Sequence, residues 1–203
     1  NTEIACSPIP AHQRTSAWYQ DARQRVAQRR QGRRARNVVL FLGDGMGIST
    51  ITAARIYAGQ LAGACGEENL LSFEEFPQTG LIKTYNVNSQ TPDSAGTMSA
   101  IMTGVKTDIG VFGIDENVVG DDCASGKGNE LLSLLDVAEL AGLSTGVIST
   151  ARVTHATPGA TYAKTANRDW EDDSDLTASA RQGGCLAIAS QLLNVDARLS
   201  AAV

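Results

Sequence analysis

Five apolar residues run without interruption from Val38 to Leu42 and end on Gly43-Asp44-Gly45-Met46-Gly47. A run without alternation predicts a strand buried on both faces, here 37–42, the kind that sits inside a parallel sheet. Helical spacing follows over 49–62, with Ser49 or Thr50 as the cap. Gly80 to Tyr85 and Ser144 to Thr150 predict a second and a third strand. A short helix over 94–102 is closed by Thr103-Gly104. Over 131–140, Leu131, Leu134, Leu135 and Ala138 share one helical face, and Gly142 ends it. A final helix is expected over 178–195, with Cys185 inside it. Trp18 to Arg30 predicts an amphipathic helix near the N-terminus. Strands that alternate with helices imply βαβ units, hence an α/β fold with a mainly parallel central sheet and helices on its faces. No internal repeat, low-complexity tract or linker breaks this order. The chain reads as an arm plus helix over 1–36 and an α/β portion over 37–203.

Composition narrows the class. With 203 residues and 42% hydrophobic content the chain can bury a real core. No apolar run is long enough for a membrane span. The net charge of −5 is uneven: residues 1–36 carry eight arginines against Glu3 and Asp21, and the remainder holds nine basic against twenty acidic side chains. A basic arm can meet nucleic acid or an anionic surface. Neither aromatic-basic interleaving nor a recognition motif accompanies it, so a solvated helix face is expected and no nucleic-acid partner. The four cysteines, Cys6, Cys65, Cys123 and Cys185, form no CxxC pair. Their even number and wide spacing suit two long-range disulfides in an oxidising, periplasmic or secreted setting; four buried thiols are the alternative. The chain opens on Asn1, as a processed secreted protein or a fragment would.

Three segments carry candidate chemistry. Asp44 closes the first strand among glycines, but Gly43-x-Gly45-x-Gly47 is not the GxGxxG of a dinucleotide loop. A carboxylate there repels phosphate unless a cation intervenes, which favours a metal ligand; capping the next turn is the plainer alternative. Ser94, in Thr91-Pro92-Asp93-Ser94-Ala95-Gly96-Thr97, lies at a helix start, where backbone N–H groups and the dipole favour an anion. A hydroxyl becomes a nucleophile once a base or metal activates it, and Asp93 beside it can orient the hydroxyl; Ser94 as an ordinary N-cap is the alternative. After the third strand, His155-Ala156-Thr157-Pro158 offers a ring nitrogen and a hydroxyl. The guanidinium fork of Arg168, in Asn167-Arg168-Asp169-Trp170, matches phosphate oxygens. Pairing of Arg168 with Asp169, Asp172 or Asp173 is the alternative. The acidic run from Asp169 to Asp175 lacks the EF-hand spacing and reads as a solvated loop.

In order and content these segments resemble the N-terminal part of alkaline phosphatases, from about Asn37 to Val195. Phe41 to Gly47 is similar to the family's first metal-binding strand and turn, and Thr91 to Thr97 to its nucleophile motif. The His155 and Arg168 segments resemble its magnesium site and phosphate clamp. The resemblance implies a three-layer α/β/α sandwich of which only the N-terminal portion is present. It implies hydrolysis of phosphate monoesters through a phosphoserine on Ser94, with zinc and magnesium as cofactors. Asp44 would bridge one zinc and the magnesium, Thr157 would ligate magnesium, Ser94 would meet a zinc, and His155 would stand near the magnesium as in the animal enzymes. Arg168 would grip the phosphate and Asp93 would assist the hydrogen bonds around it. It further implies a Cys123–Cys185 disulfide, leaving Cys6 and Cys65 as a possible pair, and a homodimer in which the arm packs on the partner. His12 and His155 are too few for two zinc sites, so the chain is expected to be a fragment that docks with its C-terminal half. Another phosphoesterase or sulfatase of the same superfamily is the nearest rival, and a dinucleotide-binding module a more distant one.

Overall fold

Caps and glycines decide where the helices of this chain begin and end. The computed structural model describes residues 9–28 and 35–194. In chain order these carry α1 (Ala11–Thr15), α2 (Ala17–Gln28), α3 (Ile48–Leu61), α4 (Ser94–Thr103), α5 (Cys123–Gly126), α6 (Leu134–Leu140), α7 (Ala156–Gly159), α8 (Ala178–Gln182) and α9 (Ile188–Leu193). The cap of α3 is Gly47, not Ser49 or Thr50, and no side chain serves its first turn. Asp93 caps α4 through its carboxylate and Gly104 closes it at φ 75°. A left-handed residue there costs glycine nothing. Helix α6 starts three residues later than its apolar face suggests, because Ser133 and Asp136 form a reciprocal capping box. Leu131 and Leu132 stay buried ahead of it, Leu131 donating its N–H to Gly113 O at 2.9 Å.

The expected helix over 178–195 is two short helices. Gly183-Gly184 breaks it, with Gly184 at φ 75°, and Cys185 lies between the pieces rather than inside one. Cys185 is joined to Cys123 across 62 residues. Cys65 is exposed and carries no disulfide. Cys6, its expected partner, lies outside the described residues.

The sheet is where the structure departs from expectation. Among the described residues pairing is limited to isolated bridges such as Phe112 with Thr165 and Ile114 with Glu130. The segments 37–42, 80–85 and 144–150 form no ladder. Most of their apolar side chains are exposed, Phe41 by 87% and Leu81 by 99%, with Ile148 fully open; Tyr85 and Val147 are half-buried. A run that is apolar on both faces needs strands on its edges and layers above and below. The described residues supply no paired strand to any of the three segments and cover them only in part, at Tyr85 against Trp18 and at Val147 beside Leu135 and Tyr162.

Two compact units result, Arg34–Lys83 and Asn1–Arg33 with Thr84–Val203. In the smaller unit Gly59 of α3 lies against Gly66, where an added Cβ would come within 2.6 Å of the Gly66 Cα. Arg55 pairs with Glu74 at 3.0 Å. In the larger unit α4 packs through Ala95, Met98 and Met102 on α7 and the turn after it, around Phe112 and Ile188. A second cluster, with Val111, Ile114, Trp170 and Leu176, surrounds the disulfide. Helix α1 is pinned to its own chain by Gln13, whose buried amide bonds Thr103 O, Leu132 O and Leu132 N. No helix among the described residues is long and apolar enough to cross a membrane.

Candidate active site

Helix α4 begins on the residue that matters most. Asp93, at its N-cap, is extended and therefore free to turn its carboxylate back over the first turn, where Gly96 N donates to Oδ1 at 3.0 Å. Ser94 is the first helical residue and is half-buried. Its Oγ accepts from Arg168 Nη1 at 3.4 Å, and the same nitrogen donates to Asp93 Oδ2 at 3.0 Å. Thus Asp93, Ser94 and Arg168 come together over 75 residues of sequence. Among the described residues Arg168 does not pair with Asp169, Asp172 or Asp173; Asp172 takes its donors from Ser174, Asp175's carboxylate closes back on Asp172 N, and Asp173 is tied to α8 and α9, its O accepting from Arg181 Nη2 at 2.8 Å and its Oδ1 from Ser190 Oγ at 3.1 Å.

The Asp93 carboxylate is saturated. Oδ1 accepts from Gly96 N and from Asn86 Nδ2 at 2.8 Å, and Oδ2 accepts from Gly110 N at 3.0 Å and from Arg168. Burial pushes its pKa up, but the four donors outweigh burial and hold it below the usual carboxylate value. An ionised carboxylate with no spare lone pair is a poor proton acceptor. It is suited to orienting the guanidinium, and the backbone of the same arginine is fixed separately, Arg168 N donating to Gly110 O at 2.8 Å.

His155 and Thr157 stand on α7, which packs on α4. His155 is the N-cap, and its buried Nδ1 has no partner. Just before it, Glu171 gathers Arg152 through two bonds of 2.9 and 2.6 Å and Thr154 Oγ1 at 2.5 Å. These bonds, with the nearby His155, hold the Glu171 carboxyl down at about 2 against burial. Asn86, Gly110 and Glu171 carry no motif in the sequence; their roles come from contacts made far along the chain. Asp44 belongs to the smaller unit, exposed in the turn Gly43–Gly47, where Met46 N donates to Gly43 O at 3.2 Å and Gly45 takes φ 68°.

Among the described residues no three His, Cys, Asp or Glu side chains converge into a group that could hold a metal ion. A closed zinc site takes four ligands, so the described residues do not build one. The unpartnered Nδ1 of His155 and the hydroxyl of Thr157 fit a partial donor set. A cavity of about 260 Å³ between Leu135, Val147, Tyr162 and Leu192 holds none of these side chains and is mainly apolar, so it does not mark the chemistry.

A saturated acid beside a serine at a helix start, bridged by one arginine, has the donors and positive charge that suit a phosphate-like anion. Comparison with known proteins gives it a lineage. The alkaline phosphatase family model matches residues 35–200. The tissue-nonspecific alkaline phosphatase of Gallus gallus is 51% identical over 160 residues, 79% of this chain and 31% of that protein. The Mus musculus counterpart is 44% identical over 199 residues, 95% of this chain and 38% of that protein. The crystal structure of Thermus thermophilus alkaline phosphatase superposes with a TM-score of 0.56 at 28% identity, over 76% of this chain and 30% of that one. The chain belongs to the alkaline phosphatase family and has an alkaline-phosphatase-like fold. It spans about a third of the length of the curated relatives it matches.

Proposed function

We propose that the full-length protein hydrolyses phosphate monoesters through a phosphoserine on Ser94. The observation that carries this reading is the single Arg168 nitrogen shared by Asp93 Oδ2 and Ser94 Oγ. A guanidinium so placed can turn its remaining N–H groups to the non-bridging oxygens of a phosphoryl group in line with the serine. Ser94 Oγ forms the new bond to phosphorus as the ester P–O bond breaks and the alcohol leaves. Water then cleaves the phosphoserine, releasing inorganic phosphate and restoring the hydroxyl. The positive end of α4 favours charge on the phosphoryl oxygens throughout.

Zinc and magnesium belong to this reading. Asp44, Ser94 and Thr157 would offer oxygen ligands, His155 would stand beside them, and the zinc ligands still needed would come from outside these 203 residues. When bound, the metals supply activation of the serine hydroxyl and neutralisation of phosphate charge.

The same reading places the three exposed apolar segments in the central, mainly parallel sheet of a three-layer α/β/α sandwich, covered by the remainder of the full-length protein. The exposure of Phe41, Leu81 and Ile148 supports it. The Cys123–Cys185 disulfide supports a secreted or periplasmic location. Exposed residues along α2, Val26 among them, leave a face for a second copy in a homodimer. The test of the reaction is Ser94→Ala in the full-length protein. Turnover should fall by roughly 10⁴-fold or more, as for removal of other covalent nucleophiles. Turnover near the wild-type rate would end the assignment.

A further inference from the structure

The carboxylate that orients Arg168 is held from both sides, and only one side is its own helix. On the other lies Asn86, 2% exposed, in a tight turn that Asn86 N closes on Ser89 O at 3.0 Å and Ser89 N closes on Asn86 O at 3.4 Å. Because Asp93 Oδ1 can only accept, the Asn86 group facing it at 2.8 Å must be the amide Nδ2, which settles the orientation of that side chain. The amide lies flat on the first turn of α4. An added Cβ at Gly96 would sit 2.6 Å from Asn86 Oδ1, so this approach requires glycine there. Asn86 Oδ1 is buried with no partner. Burying a carbonyl group without a donor is unfavourable, and an apolar side chain would avoid that cost. The donor side of the same amide is therefore the reason for an asparagine in this place.

The rest of the turn reaches the other oxygen of Asp93. Val87 N donates to Thr107 O at 3.0 Å, and Asn88 Oδ1 accepts from Ile109 N at 2.9 Å. Both bonds hold the loop 107–110. That loop delivers Gly110 N to Asp93 Oδ2 and Gly110 O to the backbone N–H of Arg168. One turn thus fixes Oδ1 directly and Oδ2 through the loop.

We infer that Asn86 is the positioning residue of the phosphate clamp: it locks the Asp93 carboxylate so that Oδ2 presents to Arg168 and keeps the guanidinium beside Ser94 Oγ. Asn86 touches neither the serine nor the arginine and acts through Asp93. The inference rests on the reading of Arg168 as the phosphate ligand.

The test is a double-mutant cycle in the full-length protein with inorganic phosphate as the probe. Its inhibition constant, the kcat and KM for a monoester and the thermal midpoint are measured for Asn86→Ala, Arg168→Ala and the pair. Asn86→Ala should weaken phosphate binding roughly tenfold, the effect of losing one hydrogen bond to a charged group, and raise KM more than it lowers kcat. In the Arg168→Ala background it should cost phosphate binding nothing further, since both changes act on one contact. Asn86→Asp keeps the shape but sets a second carboxylate against Asp93, and should bind phosphate no better than Asn86→Ala. This variant serves where the alanine form fails to fold. Additive losses in the cycle, or wild-type phosphate binding by Asn86→Asp, would overturn the inference and leave the role of Arg168 standing. Unchanged phosphate binding in Arg168→Ala would overturn the role of Arg168 and the inference with it.

Discussion

Around Asp93 each carboxylate oxygen has two donors, whereas from Val38 to Leu42 each apolar side chain is exposed. Both regions lead to a candidate site residue, Ser94 in one and Asp44 in the other. The first is finished by contacts within the larger unit: a cap, a turn at 86–89, a loop at 107–110 and one arginine. The second has the composition of a central strand and none of the neighbours such a strand needs. The difference teaches that the Asp93, Ser94 and Arg168 cluster is completed by polar contacts inside the larger unit, while the 38–42 run has the composition of a strand without the pairing such a strand needs.

The comparison can be broken most forcefully at the disulfide that braces the larger unit. Cys123→Ala removes a closed loop of 62 residues and should cost about 4 kcal/mol on the loop-entropy model. Denaturant unfolding checks this, and an unchanged midpoint would mean the 123–185 region is braced by packing alone. Next comes Arg168→Lys, which keeps the charge but loses the planar guanidinium whose Nη1 serves both Asp93 and Ser94. The expected loss in kcat/KM for a monoester is about 10²-fold, by analogy with loss of one transition-state donor.

Leu81→Ser sharpens the contrast, because its expected cost depends on what covers the segment. With Leu81 as exposed as it is here, the change should stay within about 0.5 kcal/mol. In a full-length protein whose sheet buries that side chain, it should cost about 2–3 kcal/mol. Unfolding of both forms decides between the two. The smallest effect is expected at Glu171. Its folded pKa of about 2 lies below the usual 4.5, so its contribution to stability is complete above about pH 4.5 and fades as pH falls toward 2. Glu171→Gln should therefore narrow the stability gap to the wild type across that window and leave no gap at its acid end. A gap that stays constant with pH would contradict the Arg152 and Thr154 bonds as its source.

What could be read along the chain follows the same division. The end of α4 was legible because Gly104 is a local left-handed stop, but its cap was not: the sequence offered Ser94 for that place, and Asp93 fills it with Ser94 as the first helical residue. The break at Gly183-Gly184 was also local, yet the apolar periodicity on either side concealed it. The Arg168 partner was not legible. Asp169, Asp172 and Asp173 are nearer in sequence, and Asp93 prevails because packing of α4 against the 110–113 and 165–168 segments brings it there. Asn86 gave no signal: its neighbours Asn88 and Ser89 mark a turn, and nothing local says what the turn holds. The strand segments are the reverse case, with strong local patterns and no pairing among the described residues.

The central claim is that Ser94 carries the phosphoryl group. Full-length protein given a phosphate monoester, or inorganic phosphate, is quenched in acid, digested and mapped by mass spectrometry. The account predicts one phosphoryl group on the peptide holding Asp93-Ser94-Ala95, on the serine itself, and none in Ser94→Ala. Sustained turnover with that serine unmodified, or with the phosphoryl group on another residue, would contradict it.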